Sequence, residues 1–299
     1  MSGPFVKRKV NVRFVLDAAS GTFDGGTNTV DLKGLRVHCS IVNNQSTSLD
    51  QCDLEIFGVP LGVMNRLTIL QNGYTQGIRN YMQVTAGDGD NMALIFNGQV
   101  HFAWADFSGQ PEAVFIASAF SSLGSAYASV APTSFKGTVD AATVASSIAQ
   151  QLTPPLTLHN SGVTAQLDNP YLPGDALHQL RALAEQADFE YATDEEGVLA
   201  IWPRGKARDT AAVQISSETG LVGFPSYNDR GVMLTTLFNP SVRVNGPVNV
   251  QSKSEPANGV WYPFHVQHDL ESEVPDGRWY SHMECQKFTG QGDQVEAFQ

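Results

Sequence analysis

The chain has 299 residues, 42% of them apolar and 16% charged, with a net charge of −12 at neutral pH. A chain of that length buries more than one core, so two or three domains are expected. The acidic balance excludes a sequence-independent nucleic-acid binder, which needs clustered Lys and Arg against phosphates, and a surface that docks on anionic lipid.

The charged share falls below the usual roughly one-quarter. Ser, Thr, Asn, Gln and 27 Gly take its place, a mix suited to turn-rich β-proteins. The basic cluster Lys7-Arg8-Lys9 alternates straight into an apolar strand and reads as a solvated strand start rather than a phosphate patch. An acidic surface also suits the lining of a passage for DNA, because repulsion keeps the polymer from sticking. Val10 to Leu16 is broken by Asn11 and Arg13, which does not fit a signal peptide, and no run approaches the ~20 apolar residues of a spanning helix. The expectation is a chain made and kept in the cytosol, with Cys39, Cys52 and Cys285 as buried free thiols.

The first third is written in period two. Val10, Val12, Phe14 and Leu16 point one way and Lys9, Asn11 and Arg13 the other, a half-buried strand. A long turn from Ser20 to Asn28 follows, then alternation through Leu35, Val37, Cys39 and Ile41, and a further strand from Asp53 to Phe57. Tyr81 to Thr85 enters the turn Ala86-Gly-Asp88-Gly-Asp90-Asn91. The chain returns through Leu94, Phe96, Val100, Phe102 and Trp104, predicting a hairpin with an enlarged loop. Val114 to Phe120 completes a β-body over residues 1–125.

The period then changes. Val144, Ile148 and Leu152 recur every fourth residue after Thr138 and Asp140, either of which can cap a helix stopped at Pro154-Pro155. Short strands are expected at Leu156–Leu158 and Val163–Leu167. Asp175 caps a second helix with Leu177, Leu180, Leu183, Ala184 and Ala187 on one face. Phe189–Thr193, an acidic turn at Asp194-Glu195-Glu196-Gly197, and Val198–Trp202 make a hairpin, giving a small α+β unit over 126–207. Period two returns over 208–299. Val213 and Ile215, Val232–Phe238, a hairpin turned at Gly246-Pro247 between Val242, Val244 and Val248, Val250, then Tyr262–Val266 and Trp279–Cys285 make a second β-body. The fold class is therefore mainly β with an inserted small α+β domain.

Several patterns invite a chemical reading. His265-Val-Gln-His268-Asp269 suggests a metal site, but on a strand residues three apart face opposite ways, so one histidine packs under the sheet and the other is solvated. Asp88-Gly-Asp90-Asn91 resembles a calcium loop, yet Met92, Ala93 and Gln99 stand where such a loop needs an oxygen ligand, Gly and Glu. Asp194, Glu195 and Glu196 offer carboxylates in a tight turn, read as solvated and not as an acid–base pair across a cleft. Trp104, Trp202, Trp261 and Trp279, without interleaved basic residues, read as core with one or two at an interface. No catalytic, metal or cofactor residues are assigned. A tail-associated hydrolase and a carbohydrate-binding module stand as alternatives to a structural role.

Two stretches go beyond patterning. Leu167-Asp-Asn169-Pro170-Tyr171-Leu-Pro173-Gly174-Asp-Ala-Leu177 leads through a helix and hairpin to Leu199-Ala-Ile-Trp202-Pro203-Arg-Gly205. Glu218-Thr-Gly220-Leu-Val-Gly223-Phe-Pro225-Ser-Tyr227 is followed by Leu237-Phe238-Asn239-Pro240-Ser-Val-Arg-Val-Asn-Gly246. Physically these are turn and scaffold residues. Together, and in this order, they resemble the central baseplate hub proteins of contractile-tailed phages, relatives of the hub portion of type VI secretion spike proteins. The resemblance covers nearly the whole chain. It implies two β-barrel domains similar to the tail-tube fold and a homotrimer whose six barrels form a pseudo-sixfold ring. That ring would join a separate, trimeric tail spike protein to a hexameric tail tube or tube-initiator ring. Tape-measure protein and baseplate wedge are further candidate partners. The resemblance implies no cofactor, no membrane and no specific nucleic acid, and a place in the virion baseplate after assembly in the host cytoplasm.

Overall fold

The computed structural model describes residues 7–44, 49–69, 79–89, 91–109, 111–121 and 130–288. The first body contains β1 (Arg8–Val15), β2 (Thr29–Leu32), β3 (Val37–Asn44), β4 (Gln51–Phe57), helix α1 (Leu61–Leu67), β5 (Tyr81–Asp88), β6 (Asn91–Asp106) and β7 (Val114–Phe120). The mixed unit contains β8 (Thr133–Ser134), β9 (Thr138–Asp140), α2 (Ala141–Ala149), β10 (Thr157–Asn160), β11 (Gln166–Asp168), β12 (Tyr171–Leu172), α3 (Ala176–Gln186), β13 (Phe189–Thr193) and β14 (Val198–Pro203). The last body contains β15 (Val213–Ile215), β16 (Ser226–Tyr227), β17 (Val232–Leu237), β18 (Val248–Val250), β19 (Gly259–Ser272) and β20 (Trp279–Gln286).

Both β-bodies belong to one sheet. Its path is β2-β1-β5-β6-β7-β4-β3-β19-β20-β17-β16, with β18 beside β19 and β15 beside β18, thirteen strands in all. The join is the antiparallel β3–β19 ladder, in register from Asn44↔His265 to Val37↔Ser272. β19 serves two masters because it is long. Its first residues pair with β18, the ladder to β20 slips by one residue between Pro263 and His265, and the second half pairs with β3. Proline has no N–H to give a ladder, so a bulge is where a strand interior tolerates it.

The alternation read from the sequence sets the first core. Val10, Val12 and Phe14 of β1 point inward with Val37, Cys39 and Ile41 of β3 and Leu54 and Ile56 of β4. Each such side chain contributes roughly 1.5–3 kcal/mol by leaving water. Leu270 and Trp279, from the far end of the chain, complete this same core. The sheet curls until β1 stands beside the end of β19: Lys7 Nζ lies 2.5 Å from Glu273 and the Arg8 guanidinium sits 5.8 Å from the Trp279 ring centre. A smaller second core gathers Ile215, Val232, Leu234, Val242, Val244, Val248, Val250, Trp261, Val266 and Met283.

In the mixed unit α2 and α3 share a core with the β10-β14-β13 sheet. Helix α2 carries Val144 and Ile148 but ends at Ala149, short of Leu152 and Pro154, and its N-cap Asp140 makes no side-chain capping bond, whereas α3 carries Leu177, Leu180, Leu183 and Ala184 as expected. Asp175 caps α3 by accepting the His178 N–H at 2.9 Å, a bond worth about 1 kcal/mol. The three cysteines are free and buried, with Cys39 and Cys52 on neighbouring strands.

Several local expectations are corrected. Helix α1 and strand β2 are additions to the expected elements, seven and four residues being too short to display a period. The β5–β6 ladder continues to Asp88↔Asn91, so that connection is tight rather than enlarged. Gly246-Pro247 does not turn a hairpin. Val242 and Val244 are buried in irregular chain, and β18 pairs in parallel with β15 and antiparallel with β19. Alternating valines report burial on one side, which a well-packed loop also provides.

Candidate functional site

The two histidines of the His265–His268 pattern part company as a strand requires. His268 is 3% exposed and its Nδ1 lies 2.8 Å from Ser281 Oγ. His265 is half-buried on the other face, with Nδ1 2.8 Å from Asn44 Oδ1, so it is tied across the β3–β19 junction rather than solvated. Burial, with Arg243 and His282 adding positive charge nearby, holds His268 down at about 4, so the ring is neutral at physiological pH. Among the described residues no three His, Cys, Asp or Glu side chains stand together as a metal would need. Asp90 of the calcium-like turn lies outside the described residues.

The acidic turn departs from its sequence reading. Asp194 and Glu195 are not solvated: their side chains are 14% and 9% exposed. Asp194 receives two hydrogen bonds from the Arg208 guanidinium, Nη1 to Oδ1 at 3.0 Å and Nη2 to Oδ2 at 2.5 Å, and Arg208 is 5% exposed. Arg243 Nη2 lies 3.8 Å from Glu195 Oε2. The arginines follow the turn by many residues, so adjacency in sequence gave no hint of them. Glu196 alone stays exposed.

This pair sits where all three bodies meet. Asn43, Asn44 and Asp50 of the first body, Ala192 to Glu195 of the mixed unit, and Val242 to Val244 with Val266 of the last surround a cavity of about 10 Å³. That is the room one water molecule needs. Asn245, next in the chain to the lining residue Val244, is buried at φ 58°: its side-chain amide donates to Lys206 O at 2.8 Å, its N–H to Pro263 O at 2.7 Å, and its carbonyl accepts the Arg208 N–H at 3.0 Å. Asp50 accepts the Asn44 N–H at 3.2 Å and its other oxygen lies 3.4 Å from Ser121 Oγ. Burial, reinforced by the charges of Glu195 and Asp194, pushes the Asp50 carboxyl up to about 8 and raises Glu195 as well.

The motif residues fall in turns, on β12 and β14, and at the sheet edge. Asn169 takes a positive φ of 48° and its Oδ1 accepts the Gly137 N–H at 2.8 Å; Pro170 is buried, its carbonyl accepting the Phe135 N–H at 3.1 Å. Tyr171 is exposed, Pro173 leads into the turn, and the Gly174 carbonyl accepts from the Gln179 side chain at 2.9 Å. Trp202 is fully buried, its indole N–H donating to Glu190 at 2.9 Å, and Pro203 pairs with Phe189. Trp261 and Trp279 are also buried, and Trp104 is half exposed.

Gly220 and Gly223, at φ 107° and 68°, bend the chain around Pro225 at the sheet edge beside β17. There Val222, Phe224 and Leu237 are exposed, Phe224 by 70%. Phe238 and Asn239 are locked instead: Phe238 meets the rings of Trp279 and His268 edge-on at 5.3 and 5.4 Å, and Asn239 donates its N–H to Ser281 Oγ at 3.1 Å. Pro240 offers its carbonyl to Arg243, and Gly246 packs 3.0 Å (from its would-be Cβ) against Thr210. Sequence reasoning missed Asp50, Arg208, Arg243 and Ser281, which no local pattern marks.

A continuous sheet spanning two β-bodies with a mixed unit beside it is a fold that recurs in solved tail proteins. The tail protein from Neisseria meningitidis MC58 matches with a TM-score of 0.63 at 11% identity, covering 94% of this chain and 97% of that one. The 43 kDa tail protein of prophage MuSo2 from Shewanella oneidensis matches at 0.57 and 10% identity, over 93% and 98%. An E. coli component of the type VI secretion system, described as structurally similar to the T4 tail proteins gp27 and gp5, matches at 0.57 and 10%, over 93% and 77%. Residues 11–285 match the family model described as baseplate hub gp41, and the chain belongs to that family of structural baseplate hubs. No match was found among curated proteins.

Proposed function

We propose that three copies of this chain close into a ring that joins the trimeric tail spike protein to the hexameric tail tube, or to a tube-initiator ring. The observation that carries this reading is the β3–β19 ladder. It fuses two β-bodies into one sheet, so each chain supplies two units in a fixed relation and three chains supply six. The units are two tube-like barrels at 1–125 and 208–299, with the α+β domain of 126–207 as decoration. The exposed Val222, Phe224 and Leu237 at the sheet edge support a subunit or partner contact there, since large apolar side chains in a row beside an edge strand invite cover. Tape-measure protein and baseplate wedge are further neighbours, and assembly takes place in the host cytoplasm.

The same reading makes the chain a scaffold without catalytic activity. His265 and His268 face opposite sides of the sheet, and the Asp194 and Glu195 carboxylates serve ion pairs. Light scattering and native mass spectrometry of the chain mixed with its spike protein test the proposal. Three copies per spike are expected, with loss of the assembly and unchanged circular dichroism in Phe224→Asp. A monomer that ignores the spike overturns the ring. Muralytic activity lost in His268→Ala overturns the scaffold reading.

A further inference from the structure

The charges at the three-body junction do not balance as drawn. Two guanidiniums, Arg208 and Arg243, face two carboxylates, Asp194 and Glu195, and Asp50 is a third carboxyl that no cation among the described residues pairs. Asp50 is 9% exposed, and among the described residues its carboxylate is met by the Asn44 N–H and the Ser121 hydroxyl. Around the same cavity Glu195 Oε2 and Asn43 Oδ1 are buried with no hydrogen-bond partner among the described residues. An extra negative charge here adds to two already present in a medium that screens poorly.

We propose that this junction is a proton-operated latch, which holds the mixed unit against both β-bodies while the Asp50 carboxyl is neutral and loosens when it ionises. Every ionisable neighbour follows that logic. Among the described residues Asp50 is the ionisable group that the first body brings to the cavity; the mixed unit brings Asp194, Glu195 and, outside, Glu196; the last body brings Arg243 at the cavity and Arg208 on Asp194, with His265 and His268 on β19. Asp50 ionises at about 8 in the closed junction and at about 4 once opened to water. The closed form therefore holds the proton more tightly. Closure is firmest in acid, weakens as pH rises between those two values, and levels off above about pH 8.

Hydrogen exchange of the full-length chain, corrected for intrinsic rates, reads the opening at amides 192–196 and 206–208. The wild type is expected to open more readily with rising pH, by up to about tenfold per unit on the limb approaching pH 8. Asp50→Asn, which keeps the shape and removes the titration, flattens that limb. Glu195→Gln frees Arg243 for Asp50 and moves the plateau to lower pH. An Asp50→Asn variant that keeps the wild-type slope overturns the proposal, and so does a wild type whose junction opens equally at pH 6 and pH 8.5.

Discussion

His268 and Ser281 face each other across the β19–β20 ladder, with His268 Nδ1 2.8 Å from Ser281 Oγ. The same oxygen accepts the Asn239 N–H at 3.1 Å, so Ser281 ties the imidazole to the chain after β17. A ring buried in that way is neutral, and its neutrality has a measurable cost in acid. Burial holds it at about 4, against about 6.5 unfolded. A depressed value on a base means stability present above pH 6.5 and lost as pH falls toward 4. The loss approaches roughly 3 kcal/mol over that window if the whole shift is expressed. Asp50, with its raised value, gains stability over the same window, so the His268 contribution is read as a difference: in melting curves between pH 7 and pH 4 the wild type should lose stability relative to His268→Gln, which at pH 7 is itself lower by about 1 kcal/mol for the weakened bond. An unchanged acid limb in the variant would assign the decline to other groups.

The strand pattern around His268 was legible because alternation is local: Val10, Val12 and Phe14 announced their strand, as did Val144 and Ile148 their helix. What stayed hidden was pairing across distance. Asp194 looks like any turn aspartate until Arg208 folds back on it, and the join of Val37–Asn44 to His265–Ser272 depends on residues more than two hundred apart in sequence. Periodicity says which face a residue turns inward, and it does not say which edge meets which. The 218–227 motif shows the complementary failure: its glycines and proline read as turns, yet nothing in their spacing tells that Phe224 stands in solvent.

Two motif glycines separate conformational cost from steric cost. Gly174 has φ 101° and a Cβ there would meet the His178 ring at 2.8 Å, whereas Gly223 has φ 68° and open space around it. Gly223→Ala should cost about 1 kcal/mol, the price of a left-handed backbone alone. Gly174→Ala should cost more, in the range of roughly 1–3 kcal/mol, because strain and crowding at the α3 cap add. Urea titration of both variants checks the order, and equal losses would contradict the crowding at His178.

The Arg208–Asp194 pair is buried enough for its halves to be worth unequal amounts. Arg208→Ala leaves a carboxylate in the junction and should cost roughly 3–5 kcal/mol. Replacing both by apolar residues of similar size, Arg208→Met with Asp194→Leu, removes the stranded charge and should recover much of that loss. A double-mutant cycle in denaturant reads the coupling. Additive losses would mean that the two bonds seen here contribute little.

The first β-body should not fold without the end of the chain. Its core counts Leu270 and Trp279 among its members, and β3 spends its outer edge on β19. A fragment of residues 1–125 loses both side chains, and truncating a buried Trp or Leu alone costs about 2–5 kcal/mol. It also exposes the eight residues of β3 as a free edge, which favours association over folding. The fragment is expected to be aggregated or to lack dispersed amide resonances. In the full chain, Trp279→Ala should speed exchange of the β1 and β3 amides as well as those of β20. A soluble, cooperatively melting fragment would mean that the two bodies are independent domains that happen to touch. Slow exchange in β1 and β3 of the Trp279→Ala chain would point the same way.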